Sequence, residues 1–133
     1  GFDYKDKYVD MKYANLMSIS ENLNLDLNDK EAHIKSGKNY LKETETVFSF
    51  GAIAATLDSL LKSAKAPKII DFISIDVEGA ELEVLKGINF EHYSFKYMLI
   101  EIRNFKLIED FLIGQGYVLE KQLSAHDYLF KSV

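Results

Sequence analysis

The sequence predicts an α/β fold. From Thr56 onward the apolar residues alternate between helical spacing and short, nearly continuous runs, in the order helix, strand, helix, strand, helix. Two further short strand patterns close the chain as an antiparallel pair. Neither an internal repeat nor a low-complexity linker interrupts this order. We therefore interpret residues 1–133 as a single domain.

The composition is that of a globular protein. The chain has 133 residues, 47% of them hydrophobic, and no cysteine, so disulfides and thiolate metal sites are excluded and a cytoplasmic location is expected. The net charge is −5, and the 16 Lys and Arg residues are scattered. This pattern argues against nucleic acid as a partner and favours a small or neutral ligand. No apolar run approaches the ~20 residues of a membrane span, so a membrane partner is not expected either.

The first half of the chain carries the weaker patterns. Residues 7–13, KYVDMKY, alternate apolar and polar side chains, which predicts a half-exposed strand. The polar region 21–45 contains a weak helical signal over residues 28–41, and we interpret it as a surface connection with a short helix. Residues 47–50 predict a short strand that Gly51 closes.

The patterns become stronger at Thr56. This residue is a good N-cap for a helix whose apolar side chains recur at i, i+3, i+4 and i+7 through Ala64. Pro67 then prevents the helix from continuing into the apolar run Ile69–Ile75, which predicts a parallel strand buried on both faces. Helical spacing returns over residues 80–88.

The C-terminal patterns continue the alternation. A second apolar run predicts another buried strand, and Gly114 and Gly116 end the helix that follows it. The predicted elements are a strand at 97–102, a helix at 105–113, and strands at 117–120 and 128–131 joined by a turn at 124–126.

Two carboxylates follow the predicted strand Ile69–Ile75. Asp76 and Glu78 stand where the carboxyl end of a strand meets the amino end of a helix, the edge at which open α/β sheets bind ligands. They could orient a hydroxyl group, act as a general base or hold a divalent cation. Alternatively, the two carboxylates only stabilise the positive end of the helix dipole, with Glu78 as a capping residue and Glu81 completing the cap. Asp76 is harder to explain in that way, because an ionised side chain after a buried strand needs a partner or open solvent.

Glu101 and Arg103 end the next predicted strand. They would lie near Asp76 if the two strands are adjacent and parallel. The alternative is a salt bridge of Glu101 and Arg103 to each other or to a loop.

The histidines offer no metal-binding spacing. His33, His92 and His126 are far apart in the sequence, and each is expected to be a loop residue. His126 has the best case for a functional role, because the tip of a hairpin can lean over an adjacent site. The sequence also lacks a glycine-rich turn between a strand and the helix after it, the usual nucleotide-binding pattern.

The hexapeptide DVEGAE at residues 76–81 resembles FkbM-type methyltransferases, which depend on S-adenosylmethionine. The other segments that resemble the family, in the family's order, are TLDSLL at 56–61, the run from 70 to 90, LIEI at 99–102, GY at 116–117 and DYLF at 127–130. The resemblance covers residues 56–130, whereas residues 1–50 match only loosely.

The resemblance implies a Rossmann-like class I methyltransferase fold, with a mostly parallel sheet and a C-terminal antiparallel hairpin. It also implies O-methylation of a hydroxyl group on a sugar or small metabolite, with S-adenosylmethionine as the cofactor. By similarity, Asp76 is the base or hydroxyl-orienting group and Glu78 its electrostatic or substrate-binding partner. We expect Glu101, and His126 at the hairpin tip, to contact the acceptor.

One part of the family pattern has no counterpart in the sequence. The first strand, the glycine-rich cofactor loop and the acidic end of the second strand would precede Gly1, so we expect a domain incomplete at its N-terminus, with unidentified cofactor-binding residues and weak or no cofactor binding. Two alternatives stay open. One is a divalent-metal hydrolase using Asp76 and Glu78, although no histidine or third carboxylate has a convincing spacing. The other is a non-catalytic binding or assembly module.

Overall fold

The computed structural model describes residues 8–21, 23, 25 and 30–133. Two compact units are present: the first extends to Ala55 and includes Glu78–Ala80, and the second contains Thr56–Val77 and Glu81–Val133. The elements in chain order are β1 (Tyr8–Tyr13), β2 (Ile19–Ser20), α1 (Lys30–Gly37), a 3₁₀ turn (Lys38–Tyr40), β3 (Phe48–Ile53), α2 (Leu57–Ser63), β4 (Ile69–Ile75), α3 (Glu81–Lys86), β5 (Ser94–Glu101), α4 (Phe105–Gly114), β6 (Tyr117–Gln122) and β7 (Asp127–Ser132). The α/β class is confirmed.

The first unit contains an antiparallel sheet in the order β2-β1-β3. Tyr13 pairs with Phe48 across β1 and β3, and their rings stack with centroids 5.0 Å apart. The predicted strand at 7–13 is confirmed in its described part. The prediction that Gly51 closes the next strand is wrong, because Gly51 pairs with Asp10 and β3 continues to Ile53. A glycine backbone forms ladder hydrogen bonds like any other, so pairing with β1 decides where the strand ends.

Helix α1 lies in the polar region where a short helix was predicted. Its last residue, Gly37, approaches Ala14 so closely that an added Cβ would lie 2.5 Å from the Ala14 carbonyl oxygen and 2.8 Å from the Ala14 Cβ. No side chain fits in that space. The absence of a Cβ at Gly37 therefore lets α1 pack against the segment that follows β1.

We expect Gly37→Ala to destabilise the protein by about 1–3 kcal/mol, because the added methyl group overpacks this contact. The backbone at Gly37 is right-handed helical (φ −59°, ψ −29°), so the loss would come from crowding and not from backbone strain. Denaturant unfolding followed by circular dichroism measures it. Gly114→Ala is the matched control: Gly114 ends α4, a Cβ there meets nothing within 4 Å, and the substitution should be neutral or stabilising by about 0.5–1 kcal/mol. Equal losses in the two variants would contradict the packing argument.

The second unit contains a four-stranded sheet in the order β4-β5-β7-β6. β4 and β5 are parallel, whereas β5 pairs antiparallel with β7 and β7 pairs antiparallel with β6. Strands β4, β5 and β6 therefore run in the same direction and β7 runs against them, so the sheet is mixed and the expected mostly parallel order with a C-terminal antiparallel hairpin is confirmed in part. β7 runs against the others because a short hairpin joins only antiparallel strands, and the second strand of this hairpin takes the place next to β5.

The core of the second unit lies between this sheet and its helices. The most buried members are Leu85, Phe95, Met98, Ile100, Leu112 and Phe130. The prediction that β4 is buried on both faces is wrong: Ile75 is buried, but Phe72 is 53% exposed and Ile69 63% exposed. Only some side chains of β4 reach the core to which α2, α3 and α4 contribute, and the remaining ones face solvent.

Tyr117 joins the start of β6 to β5. Its side chain is buried, and its hydroxyl oxygen accepts a hydrogen bond of 2.9 Å from the backbone N–H of Phe95. Burial raises the pKa of the Tyr117 phenol, although the hydrogen bond from Phe95 opposes that shift.

We expect Tyr117→Phe to lower the free energy of unfolding by about 1–3 kcal/mol, because the buried N–H of Phe95 loses its acceptor. The raised pKa means that the folded state holds the phenol proton more tightly than the unfolded chain, whose tyrosine pKa is about 10. The stabilisation from protonated Tyr117 is fully present below pH ~10 and is lost as the pH rises through the higher pKa of the folded state. The difference in the free energy of unfolding between wild type and variant should therefore narrow in alkaline solution. Unfolding at neutral and alkaline pH measures it. Tyr97→Phe, at a 43% exposed tyrosine, is the control and should change little.

Candidate functional site

The parallel pair β4 and β5 brings two acidic residues to one edge of the second unit. Ile75 pairs with Ile100, so the next residues, Asp76 and Glu101, follow at the same level of the sheet. Asp76 is exposed and Glu101 is partly buried, and a carboxylate oxygen of one lies within 4.8 Å of a carboxylate oxygen of the other. The expectation that Glu101 lies near Asp76 is confirmed.

Glu101 has a cationic neighbour. Its Oε1 lies 3.6 Å from Nη2 of Arg103, so the predicted salt bridge is present as well. Both alternatives for Glu101 therefore hold at once. A cation on one side of Glu101 offsets part of the repulsion between its carboxylate and that of Asp76.

His126 stands at the tip of the β6–β7 hairpin, next to the same edge. Its carbonyl oxygen accepts a hydrogen bond of 2.7 Å from the N–H of Ile102, and the following residue, Asp127, pairs with Glu101. Its own N–H donates to Ser124 Oγ at 3.2 Å. The backbone of His126 is thus held beside Glu101 while its imidazole is exposed. Its contact with a substrate stays a prediction.

Glu78 belongs to the first unit and has a strained backbone. Its φ is 52°, in the left-handed region that costs a residue with a side chain about 1–2 kcal/mol, and Gly79 follows with a φ of 93°. Such a conformation persists only where the surrounding structure holds it.

The side chain of Glu78 meets a histidine from α1. Nε2 of His33 lies 3.1 Å from Oε2 of Glu78, an ion-pair distance without the alignment of a hydrogen bond, and the His33 side chain is 7% exposed. The expectation that His33 is a loop residue is wrong, because it lies in a helix and is buried. Residues this distant in the sequence carry no local signal of their contact.

The side chain of Glu81, the first residue of α3, turns back to the segment that follows β4. The backbone N–H of Val77 donates to Oε1 of Glu81 at 3.1 Å, and the Glu81 side chain is buried. Glu81 therefore ties the first turn of α3 to the segment before it, and its predicted role in a helix cap stays a prediction. The carboxylates of Glu78 and Glu81 thus have different neighbours: Glu78 lies against His33, and Glu81 accepts a hydrogen bond from Val77.

The comparison with family models decides the family. A model described as the methyltransferase FkbM domain matches residues 5–128. The chain belongs to this family. The match begins at residue 5, so it covers most of the first unit as well as nearly all of the motifs at residues 56–130. No match was found among curated proteins or among solved structures.

An FkbM domain is a methyltransferase domain, and methyltransferases in general take a cofactor of the S-adenosylmethionine type. The carboxylates of Asp76 and Glu101 fit a cationic sulfonium group, since opposite charges a few ångströms apart attract. They suit an anionic phosphate group poorly. A divalent cation would need further ligands, because Ca²⁺ takes 6–8 oxygens and Mg²⁺ about six. Within the described residues of this FkbM domain, no helix combines the length and apolar character needed to cross a bilayer.

Proposed function

We propose that this FkbM domain transfers the methyl group of S-adenosylmethionine to a hydroxyl oxygen of a sugar or small metabolite. The observation that carries the proposal is the pair of carboxylates, Asp76 and Glu101, at the carboxyl ends of two adjacent parallel strands in a chain of this family. Ligands of open α/β sheets bind at that edge. The net charge of −5 and the scattered basic residues support a small or neutral acceptor and not nucleic acid. The lack of cysteine and of a long apolar run supports a cytoplasmic setting without a membrane partner.

We further propose that the second unit is the C-terminal part of a Rossmann-like methyltransferase fold. Its parallel strands β4 and β5, followed by the β6–β7 hairpin, agree with the arrangement that the resemblance implies. In this assignment β4 and β5 correspond to the fourth and fifth strands of the fold.

Asp76 is proposed as the base. When bound, S-adenosylmethionine supplies a methyl group that is open to attack by an oxygen. A sugar hydroxyl is a weak nucleophile, so the proton must leave as the new C–O bond forms and the C–S bond breaks. The Asp76 carboxylate is exposed and can accept that proton. Alignment of the acceptor oxygen with the methyl carbon supplies the rest of the rate enhancement.

Glu101 and His126 are proposed to hold the acceptor. Glu101 lies close enough to Asp76 for the two carboxylates to bind neighbouring hydroxyl groups of one sugar ring. The exposed imidazole of His126, beside the same edge, can add a hydrogen bond. Glu78 is proposed as the electrostatic or substrate-binding partner of Asp76.

A methyl-transfer assay tests the function directly. The protein is incubated with a high concentration of S-adenosylmethionine carrying a tritium-labelled methyl group, because weak cofactor binding is expected from the sequence. A panel of neutral sugars and hydroxylated metabolites is added, and the label on each acceptor is counted. We expect label on at least one hydroxyl compound. Absence of labelled acceptor across the panel, together with thermal stabilisation by Mg²⁺ or Mn²⁺ but not by S-adenosylmethionine, would contradict the proposal and favour the metal-dependent alternative.

A further inference from the structure

The buried histidine beside Glu78 has no role in the function proposed above. The His33 side chain is 7% exposed, and its Nε2 faces Oε2 of Glu78 at 3.1 Å. The Glu78 side chain is itself 17% exposed. An imidazole and a carboxylate lose most of their water when they are buried, so placing them there is unfavourable unless each has a polar or charged neighbour, and here each lies beside the other.

The His33 and Glu78 side chains are close enough that a small rotation would convert their contact into an aligned hydrogen bond. Nε2 of His33 is enclosed by protein and makes no aligned hydrogen bond within the described residues. Glu78 Oε2 is within ion-pair distance of it. Hydrogen bonds of catalytic groups are often long or poorly aligned before substrate binds, and they shorten in the reacting complex.

Both sides of this contact are held in place. The helix that carries His33 ends at Gly37, where the close approach to Ala14 leaves no space for movement toward that residue. The Glu78 backbone is left-handed, a conformation that requires support from its surroundings. A contact between a constrained helix and a strained turn is suited to hold the direction of the Glu78 carboxylate.

We propose that His33 is a positioning residue that holds the Glu78 carboxylate in its working orientation. The inference rests on the proposed function, in which Glu78 acts beside Asp76. His33 is buried, so it acts through Glu78 and not by touching the acceptor. Loss of His33 should therefore lower kcat by about tenfold to a hundredfold, the usual effect of misplacing a reacting group slightly, while KM for S-adenosylmethionine changes little.

A double-mutant cycle tests the coupling. The kcat for methyl transfer from S-adenosylmethionine to the acceptor labelled most strongly in the sugar panel is measured for wild type, His33→Asn, Glu78→Gln and the double variant. We expect the double variant to match Glu78→Gln within about twofold, because without the carboxylate nothing remains for His33 to position. His92→Asn is the matched control at an exposed histidine and should stay within about twofold of wild type.

A second readout does not depend on turnover. In protein labelled with ¹³C at the glutamate carboxyl carbons, the Glu78 signal is identified by its loss in Glu78→Gln. That signal should shift in His33→Asn and stay unchanged in His92→Asn. If His33→Asn does not fold, as judged by circular dichroism, His33→Gln takes its place in both measurements.

The outcomes separate the two proposals. Equal falls in kcat on replacing His33 in the wild-type and Glu78→Gln backgrounds would overturn the positioning role alone, as would an unchanged kcat or an unshifted Glu78 signal. If the wild-type protein labels no hydroxyl compound, the proposed function fails and the positioning role fails with it.

Discussion

Asp76→Asn should lower kcat for methyl transfer by about 100- to 10,000-fold, the usual contribution of a general base. An amide has nearly the same shape as a carboxylate but does not accept the hydroxyl proton. Asp76 is exposed and follows the last residue of β4, so the substitution disturbs little packing and the free energy of unfolding should change by less than about 0.5 kcal/mol. Release of S-adenosylhomocysteine measures the first effect and thermal denaturation the second.

Asp71→Asn is the control for this experiment. Asp71 lies on the same strand, near its amino end, with its side chain 85% exposed and an ion pair of 2.6 Å to Lys96. Exposed ion pairs contribute little, so this variant should keep both its turnover and its stability. Turnover of Asp76→Asn near the wild-type rate would remove Asp76 from the mechanism.

Phe130→Ala should have the largest effect on stability, a loss of about 3–5 kcal/mol in the free energy of unfolding. Phe130 lies on β7, in the middle of the mixed sheet, where it pairs with Met98 of β5 and Leu119 of β6. Its side chain is fully buried, and its ring stacks on that of Phe105 with centroids 6.3 Å apart. Truncation leaves a cavity that the surrounding strands and α4 fill only partly, so guanidinium unfolding should begin at a lower concentration.

Phe72→Ala is the matched control for this core substitution. Phe72 also lies on a strand of the same sheet but is 53% exposed. Its removal gives up less buried apolar area, so the loss should be about 1 kcal/mol or less. A loss from Phe72→Ala as large as that from Phe130→Ala would show that the exposed side of β4 contributes as much as the core.

The sequence was most informative where the signal is local. Thr56 was predicted as an N-cap, and its side chain accepts a hydrogen bond of 3.2 Å from the N–H of Ser59. The apolar run Ile69–Ile75 coincides with β4. The cap depends on residues within one helical turn. The strand depends on a run of β-forming residues that lies between Pro67 and Asp76. Both patterns are complete within a few positions of the chain.

Strand limits and burial depended on pairing. β5 begins at Ser94, earlier than its apolar run, because Ser94 pairs with Ile69 of the neighbouring strand. β3 continues through Gly51 for the same reason. These limits are set by a partner strand that the local pattern does not describe.

The acidic edge was partly predictable. The positions of Asp76 and Glu101 after two apolar runs predicted that they meet if the strands are parallel neighbours, and the β4–β5 pairing supplied that condition. The contact of His33 with Glu78 was not predictable, because no helical or strand period connects a helix in the first unit to a turn after β4.

The sequence by itself determined the α/β class, the N-cap at Thr56, the strand β4 and the identity of the acidic residues that follow it, since each rests on interactions within about one turn of helix or one strand. The tertiary structure decided the mixed order of the sheet, the exposure of Phe72 and the burial of His33 against Glu78. These features depend on which distant segments pack together, and the free energy of such packing comes from surfaces that meet only after folding.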